Sequence, residues 1–246
     1  MLKRFFDFFL SVIGLLVFSP LLLICLLLIW LQDFHSPFYI APRVGKDGKI
    51  FPMVKLRTMV VHADNSGVDS TSIDDKRITY IGKTIRRFKI DELTQLWNVF
   101  IGQMSLVGPR PQVERDVNIY TSEERHLLDV RPGITDFASI VFADEGSILA
   151  GRVDPDLAYN QLIRPWKSRL GLLYVRHRTI WIDIKLIVAT IIAVLARNKA
   201  LQMACKMLVY LDADHELLTV CSRNTELTPA TPPGACLLYT SPSPRD

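Results

Sequence analysis

Residues 10–31 read LSVIGLLVFSPLLLICLLLIWL, and residues 8–32 carry no charge. As a straight helix these 22 residues rise about 33 Å, enough for the roughly 30 Å hydrocarbon core of a bilayer. The run is too long for the apolar part of a signal peptide and no A-x-A site follows it, which excludes a cleaved leader. Ser19-Pro20 interrupts it near the middle. Proline has no N–H, frees the Leu16 carbonyl and crowds the preceding turn, so it bends a helix. A kinked span and a sharp break that returns the chain to its starting side are both open. Lys3 and Arg4 precede the run and Arg43 and Lys46 follow it, so flanking charge does not choose between them.

Outside this run the chain reads as a water-soluble body. Its 246 residues are 49% hydrophobic and 22% charged, with a mean hydropathy of +0.22. That is too polar for a bundle of spans and too apolar for a disordered chain. Cys25, Cys205, Cys221 and Cys236 have no framework spacing, which argues against a disulfide-stapled module. The net charge of +4 is mild, and its placement matters more than its size.

Pro37, Pro42, Gly45, Gly48 and Pro52 punctuate short apolar pieces, so residues 36–55 read as turns or a hairpin. Residues 63–76 read as an exposed loop. From Asp91, the spacing of Leu93, Trp97 and Phe100 predicts a short amphipathic helix ending near Gly102. Residues 122–128 and 156–178 also read as helical, the second long and basic. Trp181–Leu195 is very apolar but is interrupted by Asp183 and Lys185, which suits an interfacial or core helix better than a span. The character changes after about residue 200, and the Thr- and Pro-rich run 223–246 has no periodic pattern; its end reads as an artefactual read-through and is expected to lie outside the fold.

Phosphate-loop, dinucleotide-binding, zinc and nucleophile-elbow motifs are all missing. The informative stretch is Lys76–Pro111, KRITYIGKTIRRFKIDELTQLWNVFIGQMSLVGPRP, with seven basic residues and only two acids, Asp91 and Glu92. The plainer reading of the acids is favourable charges opening a helix, and the sharper one a carboxylate pair held among cations. In the second reading Asp91 stays ionised as a nucleophile and Glu92 holds a divalent ion. Pro109 and Pro111 stiffen the loop around Arg110, so it is either a fixed guanidinium suited to phosphate or a solvated surface turn. Lys55 and Arg57 alternate along an expected strand and so share a face. Few aromatics interleave with the basic residues, which argues against nucleic acid.

Together these blocks resemble the bacterial sugar transferases that act as monotopic polyprenyl-phosphate phosphoglycosyl transferases. The resemblance covers about residues 1–200. It runs from Lys3-Arg4-Phe5-Phe6-Asp7 and Ser19-Pro20 through Pro37-Phe38-Tyr39, Arg43-Val44-Gly45 and KLRTM at 55–59. It is densest in IDELTQLWNV at 90–99 and MSLVGPRP at 104–111, with VRPGIT at 130–135. It implies a membrane helix broken at Ser19 and Pro20 that returns to the cytoplasmic face of the bacterial inner membrane.

The chemistry implied is transfer of a sugar-1-phosphate from a UDP-sugar to a polyprenyl phosphate, with Mg2+ and release of UMP. Carried onto this chain, Asp91 is the catalytic nucleophile and Glu92 the catalytic metal ligand. Lys55, Arg57, Arg86 and Arg110 are candidates for holding the diphosphate. Two departures stand out: residues 134–149 read ITDFASIVFADEGSIL where many members carry a glycine and an arginine, and Ala41-Pro42 replaces a common glutamine.

The expected architecture is α+β: a re-entrant membrane anchor over 1–35, a small mixed catalytic domain over 36–200 with interfacial amphipathic helices, and an atypical tail over 201–246. A non-catalytic scaffold of a polysaccharide assembly complex is the rival reading; it needs neither Asp91 nor the phosphate-binding cations.

Overall fold

A computed structural model describes residues 2–63 and 75–235. The loop expected at 63–76 lies, for residues 64–74, outside them.

Helix α1 runs without interruption from Leu2 to Asp33, with Pro20 inside it. The proline removes the donor that would reach the Leu16 carbonyl, and the Ser19 hydroxyl donates to that same carbonyl at 2.8 Å. Ser19-Pro20 is therefore not a gap in helical structure. One face of α1, through Asp7, Ser11, Leu22, Cys25 and Ile29, is buried against the body. The rest exposes Phe5, Phe9, Leu16, Val17, Leu23, Ile24, Leu27 and Leu31. Helix α1 is long and apolar enough to cross a membrane.

A seam of satisfied charges holds α1 along its length. Arg4 donates to the Val99 and Phe100 carbonyls at 2.5 and 2.6 Å. Asp7 accepts from the Ser105 hydroxyl at 2.9 Å and the Leu106 N–H at 3.1 Å. Lys3 reaches Asp183 at 2.5 Å, and Tyr174 donates to the same carboxylate at 2.7 Å. At the other end Asp33 forms a two-point pair with Arg57, both contacts 2.6 Å. Both ends of α1 are thus fastened to one body.

Strands β1 (Phe38–Val44) and β2 (Ile50–Leu56) form the antiparallel hairpin that the proline and glycine spacing predicts. Helix α2 (Tyr80–Arg87) is capped by Thr79, whose hydroxyl accepts from the Gly82 N–H. Ile90–Glu92 is a 3-10 turn, entered through Lys89 in the left-handed region at φ 54°, and α3 (Gln95–Phe100) follows. The acid pair therefore sits in a tight turn before the amphipathic helix. Strand β3 (Ser105–Val107) precedes the Gly108–Pro111 loop, and α4 (Glu114–Asn118) follows it. A 3-10 segment at Glu124–Asp129 stands where residues 122–128 read as a helix. Strand β4 (Gly133–Thr135) pairs in parallel with β3.

The remaining elements are helical: α5 (Phe137–Val141), α6 (Glu145–Ile148), α7 (Pro155–Leu162), α8 (Arg164–His177), α9 (Ile180–Leu195), α10 (Arg197–Tyr210) and α11 (His215–Ser222). The single long helix read over 156–178 is two, because Pro165 can occupy only the first turn of a new one. Helix α9 buries Ile182, Leu186 and Ala189 and exposes Trp181, Ile191 and Leu195, so it has both a core face and an apolar outer face. The core does not end near residue 200: Ala200, Ala204, Leu208 and Cys221 are fully buried beside Leu186, Phe137 and Leu170.

Candidate active site

The acid pair is assembled by three local devices. Thr94 and Asn98 stitch α3 and its leading turn to β2, through Thr94 to the Val54 carbonyl at 3.0 Å and the Val54 N–H to Asn98 at 3.0 Å. That contact brings Lys55, the next residue of the strand, beside the 3-10 turn. The Arg110 loop is fixed by backbone approach: Gly133 donates to the Pro109 carbonyl and Gly108 to the Thr135 carbonyl, each at 3.0 Å. A Cβ at Gly108 would meet the Arg131 carbonyl at 2.4 Å, so only glycine fits there.

Within this frame Glu92 takes both nearby cations on one oxygen. Arg110 Nη2 lies 2.6 Å and Lys55 Nζ 3.3 Å from Glu92 Oε1. Burial pushes the Glu92 carboxyl up, but the Arg110 and Lys55 charges outweigh it and hold the group well below the usual carboxylate range. Glu92 in turn drives the Arg110 guanidinium upward. Burial pulls the Lys55 ammonium down, against the attraction of Glu92.

Asp91 is 8% exposed, and among the described residues no side chain donates to its carboxylate. Burial raises it above its ordinary value. Lys55 opposes that rise, and the neighbouring Glu92 charge adds to it. One carboxylate is clamped and strongly acidic while its neighbour is free and more basic, a split typical of groups with different chemical jobs.

The pair opens onto a cavity of about 810 Å³ lined by ten basic and seven acidic side chains. Arg86 lines it with Nη1 buried and without a hydrogen-bond partner among the described residues, and burial weakens its hold on the proton. Lys89 lines it too, donating to the Ser139 carbonyl at 3.3 Å. An anion in this cavity meets cations whose hydrogen-bonding capacity is not used up within the protein.

Four of the six binding and catalytic candidates, Lys55 and Arg86 with Asp91 and Glu92, meet here, and Arg110 joins them as a fifth. Arg57 does not. Strand β2 ends at Leu56, so the alternation that would put Arg57 beside Lys55 stops one residue short. Its guanidinium is consumed by Asp33 and by the Ser36 carbonyl at 2.7 Å. Ser19 and Pro20 lie in the exposed length of α1. Lys89, Glu145 and Lys167 are cavity residues that motif reading passes over. Lys89 was legible as a cation two residues before the acid pair, whereas the Glu145–Lys167 ion pair joins two distant segments with no motif in either.

Among the described residues no three His, Cys, Asp or Glu side chains are grouped as ligands of a metal ion. Lys55 and Arg110 both contact Glu92 Oε1, and Glu92 is the carboxylate beside the cationic wall that would hold a divalent ion. This suits magnesium, which commonly takes one or two carboxylates together with substrate phosphates.

Residues 1–197 match the family described as bacterial sugar transferases. The chain belongs to the bacterial sugar transferase family. Among curated members, it is 34% identical over 193 residues to the exopolysaccharide production protein ExoY of Sinorhizobium fredii, covering 72% of this chain and 83% of that protein. It is 38% identical over 198 residues to the undecaprenyl-phosphate glucose phosphotransferase of Komagataeibacter xylinus, covering 77% and 35%. It is 32% identical over 201 residues to the UDP-N-acetylgalactosamine-undecaprenyl-phosphate N-acetylgalactosaminephosphotransferase of Aeromonas hydrophila, covering 79% and 44%. The chain thus spans less than half the length of the last two sugar transferases and most of the first. The acid pair and Arg110 all fall inside the matched stretch.

Proposed function

We propose that this sugar transferase moves a sugar-1-phosphate from a UDP-sugar to a polyprenyl phosphate, as a membrane step in polysaccharide assembly. The names of the relatives support the reaction class. The observation that carries the mechanism is the division of labour in the acid pair: Glu92 holds the cations and Asp91 is left free within the cationic cavity.

An Asp91 carboxylate oxygen attacks the sugar-linked phosphorus of the donor. The phosphorus–oxygen bond to the leaving phosphate breaks, and UMP departs with the bridging oxygen. An oxygen of the polyprenyl phosphate then attacks the same phosphorus, which restores Asp91 and gives a polyprenyl-diphosphate sugar. Lys55, Arg86, Lys89 and Arg110 stabilise the charge that gathers on the leaving phosphate. Magnesium, which Glu92 would hold, would neutralise further negative charge on the diphosphate. A covalent intermediate lets a water-soluble donor and a lipid acceptor use one nucleophile in turn.

The fastening of α1 supports a seat in one leaflet with both ends on the cytoplasmic side. Lys3, Arg4 and Asp7 at one end and Asp33 at the other bind the same body. A helix crossing to the far side would separate those anchors. The exposed apolar faces of α1 and α9 supply the lipid-facing surface. Thiol labels at Leu2 and Phe34 should react with an impermeant reagent from the cytoplasmic side only, and reaction of either from the opposite side would overturn this seating. For the chemistry, UMP release from the protein in nanodiscs is measured with a polyprenyl phosphate, magnesium and a panel of UDP-sugars. Release that persists in Asp91→Asn would remove the nucleophile assignment, and silence of folded wild-type protein across the panel would favour the scaffold reading.

A further inference from the structure

The family match ends at residue 197, yet α10 and α11 reach back to the cavity. They do so through one carboxylate. Arg197, at the start of α10, places Nη2 2.8 Å from Asp144 Oδ1. Arg223, just past α11, donates from Nη2 to Asp144 Oδ2 at 3.2 Å, and its guanidinium lies over the Phe142 ring at 5.8 Å. Arg223 ends α11 in the left-handed region at φ 53°, a common helix ending that turns the chain at this residue. Asp144 and Phe142 both line the cavity.

The residue after Asp144 is Glu145, which opens α6 and forms an ion pair with Lys167 of α8. Lys167 in turn lies 5.0 Å above the Tyr159 ring. Burial weakens the Lys167 ammonium, but Glu145 outweighs it and holds the group protonated. The cavity therefore has two chemically different walls. One carries Lys55, Arg86, Lys89 and Arg110 around the acid pair and suits phosphate. The other alternates a carboxylate, an ammonium and an aromatic ring. That alternation suits hydroxyl groups, which donate to the carboxylate and accept from the ammonium while a carbon–hydrogen face rests on the ring.

We propose that Glu145 and Lys167 contact the sugar ring of the donor, and that Arg223 and Arg197 are positioning residues that hold this wall through Asp144. The C-terminal helices, beyond the part matched to the family, thereby set which sugar the site prefers. This rests on the sugar-phosphate reading above. Loosening the clamp affects recognition of the sugar and leaves the phosphate wall intact. UMP carries the nucleotide and its phosphate but not the transferred sugar, so it separates the two effects.

The test uses the full chain in nanodiscs with polyprenyl phosphate and magnesium, comparing wild type, Glu145→Gln, Arg223→Ala and Arg223→Lys. The readouts are kcat and KM for each UDP-sugar in a panel, with the inhibition constant for UMP. In Glu145→Gln and Arg223→Ala the KM for the preferred donor should rise about tenfold, and the ratio of kcat/KM between best and poorest donors should shrink by a similar factor. The UMP inhibition constant should stay within twofold, and Arg223→Lys should recover most of the discrimination. Parallel shifts in KM and UMP inhibition would overturn the proposal, as would unchanged donor ratios. If Arg223→Ala does not fold, unchanged donor ratios in Glu145→Gln decide against it alone. A wild type that releases no UMP from any donor overturns the sugar-transfer reading itself, whereas an active wild type with unaltered discrimination in the variants overturns only the clamp.

Discussion

The seam along α1 and the cavity around Asp91 use the same residue types in opposite ways. At the seam every charge is answered within the protein: Asp7 by a hydroxyl and an N–H, Arg4 by two carbonyls, Arg57 by both oxygens of Asp33. In the cavity the charges are left partly unanswered. Glu92 absorbs two cations, but among the described residues Arg86 keeps a bare Nη1 and Asp91 has no side-chain donor. Buried charges without partners are costly, so the unanswered Arg86 and Asp91 at the acid pair point to a ligand that completes them.

Substitutions in the two regions should therefore fail differently. Asp91→Asn should lower turnover about 10³-fold or more while the melting temperature stays close to wild type, read by UMP release and thermal unfolding. A large loss of stability instead would move Asp91 to the structural side of the comparison. Glu92→Gln removes the charge shared by Lys55 and Arg110 and should cost about 10²-fold in kcat/KM. Its effect should diminish when magnesium is omitted from both assays; an undiminished effect would mean that Glu92 acts on the cations alone.

The pH profile tests the electrostatics of the pair. Burial raises Asp91, so its carboxylate forms only as pH climbs above the ordinary aspartate range of about 3.9. The acid limb of kcat/KM should lie above that value, since this limb reports the free enzyme. Lys55 pulls Asp91 down, so Lys55→Met should move the limb to higher pH; a limb that stays in place or moves down contradicts the assignment. The linkage to stability has the opposite sign for the two acids. Glu92, depressed on folding, stabilises the fold at pH above its unfolded value and loses this as pH falls through its folded one. Asp91, raised on folding, favours the fold at low pH and gives this up as pH rises through its folded value.

The smallest effect on catalysis belongs to the seam. Arg57→Gln should cost about 2 kcal/mol of stability by leaving Asp33 without its paired cation, with kcat/KM within about threefold of wild type. A deep loss of activity at unchanged stability would return Arg57 to the phosphate site.

Which of these features could be read in advance follows from how local their causes are. The hairpin is written in Pro42, Gly45, Gly48 and Pro52, because φ restriction and turn chemistry act within a few residues. The acid pair and the Arg110 loop are equally local. Arg57 misleads because its role depends on where β2 ends and on Asp33, 24 residues earlier. Helix α10 carries Ala200, Ala204 and Leu208 at helical spacing and α11 adds Cys221, yet the shift in composition near residue 200 hides that they finish the core. The Glu145–Lys167 and Asp144–Arg223 pairs join segments 22 and 79 residues apart, and nothing within either segment announces the other.

The Lys3–Asp183 contact spans 180 positions, which bears on how the protein is made. During synthesis α1 emerges first, but the partner of its leading lysine emerges only after most of the chain has left the ribosome. Lys3 is therefore answered by water until the last third of the chain has folded, whereas the partners of Arg4 and Asp7, at residues 99–106, emerge earlier. Closing the Lys3–Asp183 contact is then a late, long-range event in folding, of the kind that is slow and prone to diversion. Chains cut short before Asp183 would keep the other fastenings of α1 but leave Lys3 without its carboxylate.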